Sequence, residues 1–281
     1  MTGRVISILE NFFPEYAVFS EEYIGMMKLY YTISLLELRP GVFILLCANE
    51  CGEHFFFGSP VDIRHEVLNP ELLSLLPGGA LVYNLTPADI GKADFPSAGF
   101  KTEIIDYEFL YSRESLLTRS GSAYKKKRND FTHFTAICSP GVEEYYNPAD
   151  FFSAAGEFIA QQEITAAGAC DKNLTLRSYC RMLERLLNGG FCRKFFGIIV
   201  RVRGQIAGIS FGFYKNNLFV NAGEYFRKDK RGAGAFIFFS LAEKVNARLI
   251  NTMGCGLDNN LKASKQSFNP KALPLYRLIV G

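Results

Sequence analysis

The sequence predicts an α+β protein organised as two halves, residues 1–139 and 140–281. Three observations carry that expectation. The chain has 281 residues, 48% of them hydrophobic and 26 of them Phe, enough to bury one large core or two moderate ones. Short runs rich in β-branched and aromatic residues alternate with stretches whose apolar residues recur every three or four positions, so neither helix nor strand dominates. The last third then passes from tight hairpins through a basic, glycine-containing loop into a helix.

In the first half, residues 21–31 read as a short helix. Residues 34–38, 42–48 and 54–58 read as strands, with turns at 39–41 and 49–53. Asn69 followed by Pro70 opens a helix over 69–76, and Pro77, Gly78 and Gly79 close it. Residues 81–85 form a strand, and 86–89 start a short helix that Gly91 stops. The run 101–111 is rich in β-formers, 122–134 reads as a basic helix, and 140–148, bounded by prolines, reads as the link between halves.

In the second half, Phe151, Ala155, Phe158 and Ile159 share one face, so 148–165 is expected to be helical. Leu176, Cys180, Leu183 and Leu187 repeat the period over 174–187, and Asn188-Gly189-Gly190 caps that segment. Strands follow over 195–203 and 206–213 around Gly204-Gln205, a Gly-X pair suited to a tight hairpin, and over 218–226 after a turn at 215–217. A helix over 235–247, a strand over 248–252 and a helix over 258–267 complete the chain.

The order helix, helix, three antiparallel strands, helix, strand, helix is that of the GNAT acyltransferase core, which the second half therefore resembles. Two segments carry a closer resemblance, to the catalytic C-terminal domain of bacterial phosphatidylglycerol lysyltransferases, a domain that also occurs as a free-standing protein. One is Asp106-Tyr-Glu-Phe-Leu-Tyr-Ser-Arg-Glu-Ser-Leu-Leu117 followed by Tyr124-Lys-Lys-Lys-Arg-Asn-Asp-Phe-Thr-His-Phe134. It is similar to the family's aspartate-tyrosine strand, leucine-rich turn and lysine-arginine-asparagine helix. The other runs from Asn221-Ala-Gly-Glu224 to Pro270. Here Glu224, Gly232 or Gly234, Asn251, Leu261, Lys262, Lys265, Ser267, Phe268 and Pro270 fall on the family's pattern. The resemblance implies two tandem GNAT-like domains, an active cleft in or next to the second, and transfer of an acyl or aminoacyl group. In the lysyltransferases the donor is an aminoacyl-tRNA.

The residues themselves point to a donor site. Lys228, Lys230 and Arg231 with Gly232 and Gly234 form a loop that opens a helix straight after a strand. The first N–H groups of a helix have no internal partner, and its dipole and nearby cations favour an anion. Asn251 flanks the expected crevice, and Lys262 and Lys265, one turn apart, share a helix face that could reach a donor phosphate. Glu224 near the end of a strand is a candidate general base, and the adjacent Tyr225 a candidate general acid. In the run Lys125 to Arg128, Arg128 shares a face with Tyr124, so Lys125 and Arg128 are the expected acceptor or tRNA patch. A solvated basic turn, a paired strand carboxylate and a solvated helix face are the structural alternatives for these three features.

Net charge is only +3, so anion binding must come from such local patches. The seven cysteines and three histidines show no metal-ligand spacing, and buried reduced thiols are expected. The strongest apolar runs, 42–48 and 195–200, fall far short of the roughly 20 residues a membrane span needs. A cytoplasmic protein is expected, peripheral at the membrane surface if its acceptor is a lipid. The reading is an acyl- or aminoacyltransferase with acyl-CoA or aminoacyl-tRNA as co-substrate, no covalently bound cofactor, and an amine or hydroxyl acceptor such as an anionic phospholipid headgroup. The alternative is a catalytically inactive GNAT-like binding module. One departure favours it: Thr252-Met-Gly-Cys255 replaces a charged run of the family, while Tyr225 stands where the family often has Lys, and Asp229, at the first position of the acetyl-CoA motif, would repel a pyrophosphate unless Lys230 and Arg231 compensate.

Overall fold

A computed structural model describes residues 1–28, 31–49, 52–92, 100–166, 194–255 and 258–281. The helix expected over 174–187 and its cap lie outside these residues. The chain packs as two compact units. The first comprises Met1–Glu108, Met253–Asn259 and Ala272–Gly281, and the second Phe109–Thr252 and Asn260–Lys271. The expected boundary at 139/140 therefore falls inside the second unit.

In the first unit the strands are β1 (Thr32–Arg39), β2 (Val42–Ala48), β3 (His54–Asp62), β4 (Val67–Leu68), β5 (Leu81–Leu85), the start of β6 (Lys101–Ser112) and β12 (Lys271–Ile279). Their order is β1-β2-β3-β5-β12-β6, with β4 beside β3. Neighbours β1, β2 and β3 pair antiparallel, β3 and β5 parallel, and β5 and β12 antiparallel. Ile44, Phe56, Leu73, Val82, Leu85 and Leu278 form a buried cluster on this sheet. The segment expected as a helix at 69–76 is a 3-10 turn, Pro70–Leu75. The Thr2–Phe12 helix buries Val5, Ile8 and Leu9 on one stripe. Fully buried Glu108 is satisfied by the N–H groups of Ala17 (2.6 Å) and Val18 (2.9 Å), which it caps at the start of a 3-10 turn.

The second unit holds the end of β6, β7 (Gly141–Tyr145), β8 (Phe195–Val202), β9 (Gln205–Lys215), β10 (Leu218–Phe226) and β11 (Leu249–Asn251). The order is β6-β11-β10-β9-β8-β7. Strands β7 to β10 pair antiparallel, and β11 runs parallel to β10. The segment 140–148, expected as a link, is thus largely β7. Its prolines and its glutamates 143 and 144 suit the exposed edge of a sheet, where Pro and charge discourage further pairing. The β8–β9 turn is centred on Arg203 (φ +51°) and Gly204 (φ +80°), one residue earlier than expected. Two consecutive positive φ values match the right-handed strand twist.

Helices cover both faces of this sheet. Phe151, on the Pro148–Ala166 helix, packs on the face bearing Gly197 and Phe211. A side chain at Gly197 would meet the Phe151 ring at 2.8 Å. The Ala233–Lys244 helix covers the opposite face, where Ile237 occupies the space beside Gly208. Against that helix lies Lys125–Cys138, through Phe131 on Phe236 (5.2 Å, stacked) and Phe134 on Phe236. Among the described residues no helix is long and apolar enough to cross a membrane.

Candidate functional site

Glu224 stands on β10, and a bulge decides what stands beside it. Asn221 pairs with Gly212 and Gly223 with Phe211, so Ala222 is an extra residue in the ladder. Side chains of a regular strand alternate, and residues three apart face opposite ways. The extra residue reverses that parity and brings Asn221 and Glu224 onto the same face, with Ser210 directly across from Glu224. Gly212 is needed here because a Cβ would collide with the Val220 carbonyl.

The carboxylate receives Ser210 Oγ at 3.5 Å and faces the Asn221 amide at 3.4 Å. That amide satisfies more neighbours when its nitrogen donates to the carbonyls of Phe211 (3.0 Å) and Gly223 (3.1 Å). Its oxygen then lies toward Glu224, an acceptor that only a protonated carboxyl can bond. Glu224 keeps partial solvent contact, yet its carboxyl is crowded. Desolvation pushes its pKa up to about 7, and Lys265, Ser210 and Lys127 act against the rise. A carboxyl whose pKa is raised toward neutrality can take up and return a proton near neutral pH.

The register changes just before Glu224: β11 pairs only with residues 218–220 of β10. Residues 221–226 extend beyond its end. Asn251 closes β11, fully buried and paired in register with Val220 and Leu110. Lys265 Nζ donates to Thr252 O at 2.6 Å, just past the end of β11. The hydroxyl of buried Tyr111 donates to Lys265 O at 2.9 Å. Burial raises the Tyr111 pKa, and the charge of Glu224 adds to the rise. Lys262 is half-buried one turn before Lys265 on the Asn259–Gln266 helix.

Tyr225 stands elsewhere. It pairs with Ile209, and in regular alternation it points to the face of the Pro148–Ala166 helix, away from Glu224. The expected acid–base pair on neighbouring strand residues is therefore not assembled, because adjacent side chains of a strand diverge.

The basic loop lies before the Ala233–Lys244 helix, with Gly232 at its N-cap in the left-handed region (φ +88°). A Cβ there would strike the Asp130 carbonyl, and one at Gly234 would meet the Phe226 ring at 2.8 Å. Both glycines thus permit close packing. The N–H of Ala233 is used by Lys230 O, whereas those of Gly234 and Ala235 have no hydrogen-bond partner among the described residues. Of the loop cations, Lys230 lies 3.9 Å from Asp229, which Arg227 also holds in a two-pronged contact. Arg231 pairs with Asp130 at 3.4 Å, and Lys228 is exposed without an ion pair among the described residues.

In the Lys125–Cys138 helix, Lys125 and Lys126 are exposed and line a surface depression with Asn129, Asp130 and Arg231. Arg128 does not serve that patch: its guanidinium donates to the carbonyls of Arg119 and of Gly121 (2.8 Å), bracing the preceding turn. Its face relation to Tyr124 is real, but it leads to backbone acceptors. The cation that does reach the Glu224 cluster is Lys127. It falls on the stripe Tyr124, Lys127, Phe131, Phe134, a spacing legible in the sequence. Lys127 Nζ lies 4.2 Å from the centroid of Phe268, and burial pulls its pKa below the ordinary lysine range. Sequence reasoning also missed Ser210, Asn221 and Tyr111. Only the cross-strand register and the bulge bring the first two to Glu224.

Three antiparallel strands, a crossing helix and a parallel strand that leaves its neighbour early make the fold class GNAT-like α+β. Among solved structures, the chain is similar to a conserved protein of unknown function from Bacteroides thetaiotaomicron VPI-5482 (17% identity, 92% of this chain and 90% of that one, TM-score 0.73). It is also similar to the C-terminal domain (DUF2156) of a candidate lysylphosphatidylglycerol synthetase from Agrobacterium fabrum (12%, 100% and 92%, TM-score 0.60). The L-PGS of Bacillus licheniformis matches at 12% identity over 98% of this chain and 91% of that one, with TM-score 0.59. The chain therefore has the fold of the lysylphosphatidylglycerol synthetase C-terminal domain. No family model and no curated protein matches the sequence.

Proposed function

We propose that the protein transfers an activated acyl or aminoacyl group to an amine or hydroxyl acceptor, with Glu224 as the general base. The acceptor's N–H or O–H gives its proton to the Glu224 carboxylate as its nitrogen or oxygen attacks the donor carbonyl. The tetrahedral intermediate collapses and expels the donor's alcohol or thiol, which leaves with a proton. The donor is an aminoacyl-tRNA or an acyl-CoA, and its phosphates lie against the loop Lys228, Lys230 and Arg231 and the free amides of Gly234 and Ala235. Lys265, Lys262 and Asn251 flank the crevice. The observation that carries this reading is a carboxyl whose pKa burial pushes up to about 7, on β10 just beyond the last residue that pairs with β11. The fold shared with the C-terminal domain of a candidate lysylphosphatidylglycerol synthetase and with L-PGS supports aminoacyl transfer to an anionic phospholipid headgroup at a membrane surface.

The test offers the purified chain radiolabelled lysyl- or alanyl-tRNA with phosphatidylglycerol vesicles, and separately labelled acetyl-CoA with an amine. Label in lipid or amine that disappears in Glu224→Gln supports the reading, and the donor that works identifies the co-substrate. Absence of transfer from either donor sinks it. A binding module without catalysis is the second reading, favoured by the tight packing at Gly232 and Gly234 and by the pairing of Arg231 with Asp130. It predicts that Glu224→Gln leaves both function and the affinity for tRNA or coenzyme A nearly untouched.

A further inference from the structure

A surface cavity of about 380 Å³ opens where the last turn of the Lys125–Cys138 helix meets the β8–β9 turn and the start of the basic loop. All three elements belong to the second unit. The volume falls in the range of small-molecule sites. One wall is apolar, formed by Ile137, Val202 and Ile206, and Ile137 is left 63% exposed. Three cations, Arg203, Arg227 and Lys230, share the lining, and no Asp or Glu does.

The partners of these cations leave charge over. Asp229 holds Arg227 through both oxygens, from Nε at 3.2 Å and Nη2 at 3.3 Å, and Arg227 Nη1 donates to Gln205 at 3.3 Å. Arg227 is thereby neutralised and fixed. Lys230 reaches the same, already engaged carboxylate only at 3.9 Å. Arg203 is exposed and has no ion pair among the described residues. Two positive charges therefore lack a carboxylate of their own. The backbone that carries them is tied down. The N–H of Arg227 donates to Ala207 O at 2.9 Å and that of Lys230 to Arg227 O at 3.1 Å, while Arg201 Nη1 donates to Gly204 O at 3.3 Å in the turn that bears Arg203.

We propose that this cavity binds a phosphate monoester of a small organic molecule. A monoester carries about −1.5 to −2 at pH 7 and matches both spare cations, whereas a carboxylate or a phosphodiester carries a single charge and leaves one cation unmatched. The organic group lies against Ile137, Val202 and Ile206 and takes that apolar surface out of water. The inference goes beyond the transferase reading and does not rest on it. Lys230 is shared with the loop proposed for the donor, but Arg203 and the apolar wall have no part in that reading, and binding is measured without turnover.

The test titrates phenyl phosphate into the full chain by calorimetry at pH 7 and constant ionic strength. Saturable one-to-one binding is expected, at least about tenfold tighter than that of methyl phenyl phosphate, the monoanionic diester. Arg203→Asn removes a charge with a residue that tolerates the left-handed backbone there (φ +51°), and Lys230→Met removes the other. Each should weaken binding about tenfold, and Arg203→Lys should restore it. Lys125→Met, outside the cavity, should bind as wild type. Ile137→Ser should lower the affinity for phenyl phosphate several-fold and leave that for inorganic phosphate unchanged. Equal affinity in wild type, Arg203→Asn and Lys230→Met, or no preference for the monoester over the diester, overturns the inference.

Discussion

Replacing Glu224 by Gln should stabilise the protein, and do so only above acid pH. The carboxyl has a folded pKa of about 7 against an ordinary value of 4.5. A group whose folded pKa is raised binds its proton more tightly in the native state. Its contribution is therefore most favourable below pH 4.5, is lost as pH rises through 7, and is a constant cost above that. A rise of this size corresponds to about 3 kcal/mol at most. Because Glu224 keeps partial solvent contact, roughly 1–3 kcal/mol is expected. Glutamine keeps the shape, and its amide can bond Ser210 and Asn221 without the charge. Urea unfolding of both proteins at a series of pH values between 5 and 9 measures this directly. The difference should be smallest at pH 5, grow between 5 and 7, and level off by pH 8, with the variant the more stable. A difference that does not change with pH, or a variant less stable at pH 9, refutes the reasoning.

Three further outcomes follow from the geometry. Gly232→Ala should lose roughly 2–4 kcal/mol in chemical denaturation, since it combines a positive φ with a collision against the Asp130 carbonyl. Arg128→Ala should lower stability by about 1–2 kcal/mol by releasing the carbonyls of Arg119 and Gly121. It should leave the salt dependence of tRNA binding unchanged. Lys125→Ala and Lys126→Ala should instead leave stability intact and each reduce the slope of log affinity against log salt by about one unit in filter-binding assays.

Strands with strong alternation and clear turns were legible in the sequence. β2, β5 and β10 occupy the expected residues, and the basic glycine loop does precede a helix. The misses have local causes. β12 carries Pro274 at its centre, a residue that argues against a strand unless tertiary pairing supplies its other bonds. β7 hides behind two prolines and two glutamates because an edge strand needs no apolar face on its outer side. At the site, Glu224 was legible as an acidic residue late in a strand. Its partners were not, because the bulge at Ala222 alters the alternation on which any face assignment depends. That same alternation, applied without the bulge's help, already separates Tyr225 from Glu224. The choice of Arg128 over Lys127 rests on its face relation to Tyr124 and, approximately, to Phe131. Following the whole stripe through Phe131 and Phe134 selects the lysine.

The central claim is that Glu224 removes a proton during group transfer. With whichever donor supports turnover, kcat/KM measured from pH 5 to 9 should rise with an apparent pKa near 7 and then level off. Glu224→Gln should lie at least about 100-fold below it at the plateau. A variant within a few-fold of wild type across that range contradicts the account.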